Sequence, residues 1–220
     1  SSAAELYAEV LGESGLARYR QLAEAEWAKV PALRPGDDEN QTWRGNRYRI
    51  TQIMETLARQ SNDVEALVAI KSRDLSSAWR FLQIAEIYRE AGRRDQALEW
   101  AERGLVAFPQ RTDWRLREFL VEEYLQRGRG DEAIALVWAQ FEERSDLGSF
   151  IQLKTTVQRA DGDWPAWRDR ALKQVRQGIA REFAERNKTG YARMIAPDQS
   201  RLVEILLAEQ EIEAAWQEAK

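Results

Sequence analysis

The chain has 220 residues, 44% of them hydrophobic and 32% charged, with a formal net charge of −4. It contains neither cysteine nor histidine, which removes disulfides, thiol chemistry, the common zinc sites, the Cys–His and Ser–His–Asp nucleophile systems and the usual base near neutral pH. No apolar run approaches the roughly 18 residues that a membrane-spanning helix needs, and the slight negative charge gives no overall attraction to nucleic acid or anionic lipid.

Helix formers dominate, and the scarce glycines and prolines fall at punctuation points, so an all-α chain is expected. The opening Ser1-Ser2-Ala3-Ala4 lacks the basic and apolar stretches of a secretory signal, and a cytoplasmic address is expected. A start without methionine and an end inside a helical pattern read as a piece of a longer chain, while the missing histidines leave a redesigned sequence as an alternative.

Residues 1–30 read as two capping helices broken near Gly15, with Tyr19, Leu22 and Trp27 on one face. Residues 31–45 (PALRPGDDENQTWRG) form a turn-rich linker, expected to be the most mobile segment.

From residue 46 onward five helix pairs are predicted, at about 46–73, 76–109, 112–145, 146–185 and 198–220. The clearest runs from Asp74 to Pro109: Phe81, Ile84, Ala85 and Tyr88 mark one apolar stripe, Gly92 breaks the helix, and Ala97, Leu98, Ala101 and Leu105 mark a second stripe. Two helices of similar length joined by a few residues must pack antiparallel. The pattern returns as Tyr124, Gly128, Ala133, Val137 and Phe141. It is fainter upstream in Leu57, Ser61, Ala66 and Ile70, and downstream in Val157, Ala166 and Arg170, with the break at Asp161-Gly162-Asp163. A last copy is Leu206, Gln210, Ala215 and Ala219. Ala66, Ala97, Ala133, Ala166 and Ala215 are expected at the close crossing of each pair, where a larger side chain would force the helices apart. Asp163-Trp164-Pro165 is a strong helix start, with the helix running towards Ala184, a loop over Arg186–Gly190, and a new start at Ala196-Pro197-Asp198.

An aromatic or leucine, a glycine break, a close-contact alanine and a closing proline resemble the tetratricopeptide family, which implies a right-handed α-solenoid of antiparallel helix pairs. More narrowly, AWRFLQIAEIYREAGRRDQALEWAERGLVAFP and RLREFLVEEYLQRGRGDEAIALVWAQFEERS, with GLARYRQLAEAEWAKVPAL and RLVEILLAEQEIEAAWQEA, are similar to the helical region of bacterial SWIM zinc-finger proteins. The SWIM metal motif needs cysteines and a histidine, so no zinc role comes with that likeness.

The resemblance implies that partners bind a concave groove lined by the first helix of each pair. Glu55, Glu86, Glu122 and Glu204 precede the reference positions, with Thr155 departing from the series. Such a ladder would attract a basic or amidated peptide, with Tyr48, Trp79 and Leu82 as apolar contacts and Arg89 and Glu118 beside them. The same glutamates also fit local pairs, Glu55 with Arg59 and Glu86 with Arg89. A second candidate is the basic run Arg168, Arg170, Lys173, Arg176, Arg181, Arg186, Lys188 and Arg193, suited to phosphate or carboxylate, or equally a solvated helix face. Trp100, Trp138 and Trp216 are expected to pack between repeats, and Trp164 and Trp167 in the core.

The expected function is therefore a non-catalytic scaffold that binds a protein or peptide, without cofactor or metal. A nucleic-acid module using residues 168–193 is the alternative.

Overall fold

Five helix–helix turns among the described residues close in the same way. The computed structural model describes residues 3–38, 40–41, 45–109, 112–188 and 200–219, with side chains described for all of these except 3–11 and 185–188. Among them are eleven helices: α1 Ala3–Ala28, α2 Arg47–Gln60, α3 Val64–Lys71, α4 Ala78–Glu90, α5 Arg94–Ala107, α6 Trp114–Gln126, α7 Gly130–Glu143, α8 Leu147–Arg159, α9 Trp164–Lys188, α10 Ser200–Ala208 and α11 Ile212–Glu218. The chain is all-helical, and the only β-type pairing among the described residues is a single parallel bridge between Leu33 and Asp74.

Five hairpin turns each place one residue in the left-handed region: Asn62, Gly92, Gly128, Asp161 and Gln210, with φ of 51°, 75°, 68°, 53° and 63°. The amide of the next residue then donates to a carbonyl five residues back. These bonds are Asp63 to Ala58, Arg93 to Tyr88, Arg129 to Tyr124, Gly162 to Val157 and Glu211 to Leu206, at 2.8 to 3.1 Å. They satisfy carbonyls that the ending helix cannot pair itself and reverse the chain in a few residues.

The predicted register is corrected in two hairpins, by this closure in the first and by turn length in the second. In α2–α3 the equivalents of Tyr88, Gly92, Ala97 and Ala101 are Ala58, Asn62, Leu67 and Lys71, each one residue later than expected. In α8–α9 an extra turn residue moves the crossing from Ala166 and Arg170 to Trp167 and Ala171. Ala166 is exposed and serves the helix start instead, its amide donating to Asp163 Oδ1 at 3.3 Å, whereas Ala171 is fully buried. Ala97, Ala133 and Ala215 are buried as the pattern requires.

The chain divides into two compact units, Ser1–Leu120 and Val121–Lys220. In the first, Phe81, Leu82, Ile84, Ala85, Ala97, Ala101, Leu116 and Leu120 form the core. Gly104 lets α5 close on α4 there, since a Cβ would stand 2.7 Å from that of Phe81. Val30 and Ala23 join Ile50 and Leu57 in a second cluster under α1, with Tyr19, Trp27, Ile53 and Met54 packed on it. α1 kinks at Gly12 (φ 60°, ψ −179°), a backbone region open in practice to glycine alone, so the break lies at Gly12 and not Gly15.

The second unit is built on Val137, Phe141, Phe150, Leu153, Val157, Ala171, Val175, Ile205 and Leu206, each large member worth about 2 kcal/mol of burial. Trp138 packs on Phe141 and Trp167, and Phe150 meets Trp164 edge-on. Trp216, expected in such packing, is 60% exposed. α8 begins on a reciprocal capping box of Asp146 and Ser149. α9 continues through the predicted loop start at Arg186 to Lys188, and the predicted helix start at residues 196–198 lies outside the described residues.

The segment after α1 is not a free loop at its beginning. Leu33 is buried, its amide donates to the Arg73 carbonyl at 2.8 Å, and its carbonyl accepts from Leu75 at 2.9 Å. Residues 31–33 are strapped to the loop between α3 and α4.

Candidate functional site

That strap is held by two arginines. Arg47 opens α2 on its buried face and is 9% exposed. Its Nη1 donates to the Pro31 carbonyl at 2.6 Å and its Nη2 to the Arg73 carbonyl at 3.1 Å, so the Arg73 oxygen accepts twice. Arg73 sends Nε to the Val30 carbonyl at 2.9 Å and Nη2 to the Ala28 carbonyl at 3.4 Å, with its guanidinium 5.2 Å from the Trp27 ring centroid. A cation at the end of α1 meets the negative pole of that helix as well as its unpaired carbonyls.

Beside the strap lies a cavity of about 320 Å³, lined by Trp27 of α1, by Arg47, Tyr48, Thr51, Gln52 and Glu55 of α2, by Ile70 and Lys71 of α3, by Arg73 and Asp74 of the loop after it, and by Trp79, Arg80 and Gln83 of α4. Four cations and two carboxylates face it. Both carboxylates are engaged within the fold. Glu55 pairs with Lys71 at 2.8 Å and Arg59 at 3.4 Å. Asp74 accepts from the Ser76 hydroxyl at 2.7 Å and meets Arg80 at 3.4 Å. The pKa of Arg47 is lowered, first by burial and then by the nearby charges of Arg73 and Arg80, against the opposing pull of Asp74.

On the side of α4 nearest the start of α6, Arg115 lies 4.0 Å from the centroid of Trp79. Its Nε and Nη2 donate to Asp113 at 3.0 and 2.9 Å, and that hydrogen bonding holds the Asp113 carboxyl below the usual carboxylate range. Glu86 contributes to the field at Arg115. Arg89 stacks on Phe119 at 4.6 Å.

The structure thus brings Tyr48, Glu55 and Trp79 around one cavity. Tyr48 is 47% exposed and Trp79 partly buried. Leu82, expected as a surface contact, is 2% exposed, because it turns into the α4 core. Glu55 is 3% exposed and bound to Lys71, so it is no rung of an exposed ladder. The register places Thr56, not Glu55, at the position equivalent to Glu86. Glu118 is exposed, and Glu122 is joined to Arg159 at 2.8 Å. Of the predicted local pairs Glu55–Arg59 forms, while Arg89 instead covers the Phe119 ring.

In the basic segment Arg168 and Arg176 meet carboxylates. Arg168 meets Glu209 at 3.3 Å and also Glu211, Arg176 reaches Glu218 at 3.1 Å, and Arg170 covers Trp138 at 4.1 Å. Arg181 is exposed; the side chains of Arg186 and Lys188, and all of Arg193, lie outside the described residues. No cluster of carboxylates that would hold a metal ion occurs among the described residues, and no described helix is long and apolar enough to cross a membrane.

Sequence reasoning passed over Arg47, Lys71, Arg73 and Arg80. One signal was present: Arg47 falls in step with Ile50, Met54 and Leu57 on the apolar stripe of α2, where a charge needs buried partners.

Compared with known proteins, the chain matches no family model, no curated protein and no solved structure.

Proposed function

We propose that the chain is a non-catalytic interaction scaffold, a right-handed α-solenoid of tetratricopeptide type that holds a segment of a partner protein against the α2 and α4 face of its first unit. The repeated left-handed hairpin closure supports the solenoid reading. The observation that carries the binding reading is the convergence of Tyr48 and Trp79 on one charged cavity. Aromatic side chains beside a recess with directional polar groups are what a binding hot spot requires. The basic α9 segment gives less support to nucleic-acid binding, since Arg168 and Arg176 already meet carboxylates.

A photo-crosslinking residue placed at Tyr48 tests this. It should give a discrete protein adduct that is lost when Trp79→Ala is added, while the same residue at the exposed α5 position Gln96 gives none. Adducts equal at both positions, or unaffected by Trp79→Ala in a chain of unchanged circular dichroism, would rule the site out.

A further inference from the structure

The cavity beside the strap has the wrong sign for the basic peptide that the glutamate ladder suggested. Its carboxylates, Glu55 and Asp74, are paired with Lys71 and Arg80. Arg47 and Arg73 are hydrogen-bonded to main-chain carbonyls. A carbonyl satisfies the geometry of an N–H group and leaves the positive charge of the guanidinium in place. The recess therefore retains an excess of positive charge inside a chain whose net charge is −4. Burial disfavours the charge of Arg47, and Arg73 and Arg80 add to this against the pull of Asp74, so a second anion among these arginines would meet a guanidinium short of water.

We infer that this cavity is an oxyanion site, which takes a carboxylate or phosphate group between Arg47, Arg73 and Arg80 with the rings of Tyr48 and Trp79 alongside. The inference rests on the scaffold reading for its natural source, an acidic side chain of the bound segment; a compact organic anion shares the same chemistry. Planar guanidinium groups favour both anions over any cation, and the partly enclosed setting strengthens each charge-assisted bond. At about 320 Å³ the recess admits one such group with a small ring or chain attached, and no folded element.

The full chain is titrated with phenyl phosphate, with benzamidinium, and with two acetylated, amidated heptapeptides that differ only in a central Glu or Lys, following amide chemical shifts. Phenyl phosphate should bind with a Kd in the millimolar range or tighter, near residues 47–55 and 71–83, and weaken as salt is raised. Benzamidinium and the lysine peptide should cause no shifts there. Arg80→Gln should weaken phenyl phosphate about ten-fold, and it leaves the Arg47 and Arg73 clamps intact. Arg176→Gln should leave the affinity unchanged. Binding of the glutamate peptide identifies a side chain as the source, and binding of phenyl phosphate alone identifies a small molecule. No shift with either anion, equal shifts with benzamidinium, or unchanged affinity in Arg80→Gln would overturn the inference. Crosslinking at Tyr48 without anion binding would leave the scaffold standing and remove the oxyanion site. Anion binding without a crosslink would do the reverse.

Discussion

Arginines gather twice in this molecule, and their surroundings differ. In the first unit Arg47 and Arg73 turn to the carbonyls of residues 28, 30, 31 and 73; in the second, Arg168, Arg176 and Arg201 turn to Glu209, Glu211, Glu218 and Glu182. The first set fastens main chain and stays positive. The second set is balanced locally by carboxylates of α9, of α11 and of the turn between α10 and α11. Density of basic residues along the sequence is therefore a poor guide to where positive charge survives folding. In the crowded run Arg168 and Arg176 are matched by carboxylates, and the sparse set at 47, 71, 73 and 80 surrounds a cavity.

The contrast is broken most severely at Arg47. Arg47→Gln should lower stability by about 3 kcal/mol in chemical denaturation, because two charge-assisted bonds and the strap between residues 31 and 73 are lost together. Arg168→Gln should cost less, about 1–2 kcal/mol, since Lys154 still reaches Glu209 at 2.7 Å.

Acid titration sharpens the comparison further. Burial would raise the Asp146 pKa, but the amide and hydroxyl of Ser149 and the charge of Arg144 outweigh it, and the value lies below the usual carboxylate range. A depressed folded-state pKa stabilises above the ordinary carboxylate value and is lost as pH falls through the lowered one. Asp146→Asn should flatten that acid-side loss in melting curves, with a change at neutral pH of no more than about 1 kcal/mol, the usual worth of a cap. Arg176→Gln removes one exposed pair and should move stability by less than about 0.5 kcal/mol. A loss at Arg176 matching that at Arg47 would abolish the distinction between the two sets.

The helix pairs were legible because apolar spacing and small crossing residues are local signals. Ala97 and Ala133 sit where the pattern put them, behind glycines that announce the left-handed turn. The errors came where other residues fill that role. Asn62 adopts the left-handed backbone through a short polar side chain, so Ser61 misled the register of α2–α3, and in α8–α9 one extra residue before α9 did the same beyond a correctly placed Asp161. That single step moved Ala166 from core to solvent and hid Trp167.

Tyr48 and Trp79 could be picked out from their own helices. Leu82 could not be told from them, since one turn of α4 separates an outward aromatic from an inward leucine. Arg47 stood out only as a charge on the apolar stripe of α2, and neither its partners nor those of Arg73 were legible, because they are main-chain carbonyls, most of them contributed by a distant part of the chain.

The Leu33–Asp74 bridge ties α2 and α3 into a closed noose, drawn tight by the Arg47 and Arg73 guanidinium groups. Fraying that begins in α1 must stop at this knot until both fastenings release. Amides on the far side should exchange with solvent only through a cooperative opening, while those at the start of α1, ahead of the packed Tyr19 and Ala23, exchange independently. A pull on the N-terminus is accordingly shared between the packing of α1 on α2 and the knot, which keeps the load off the leading end of α2.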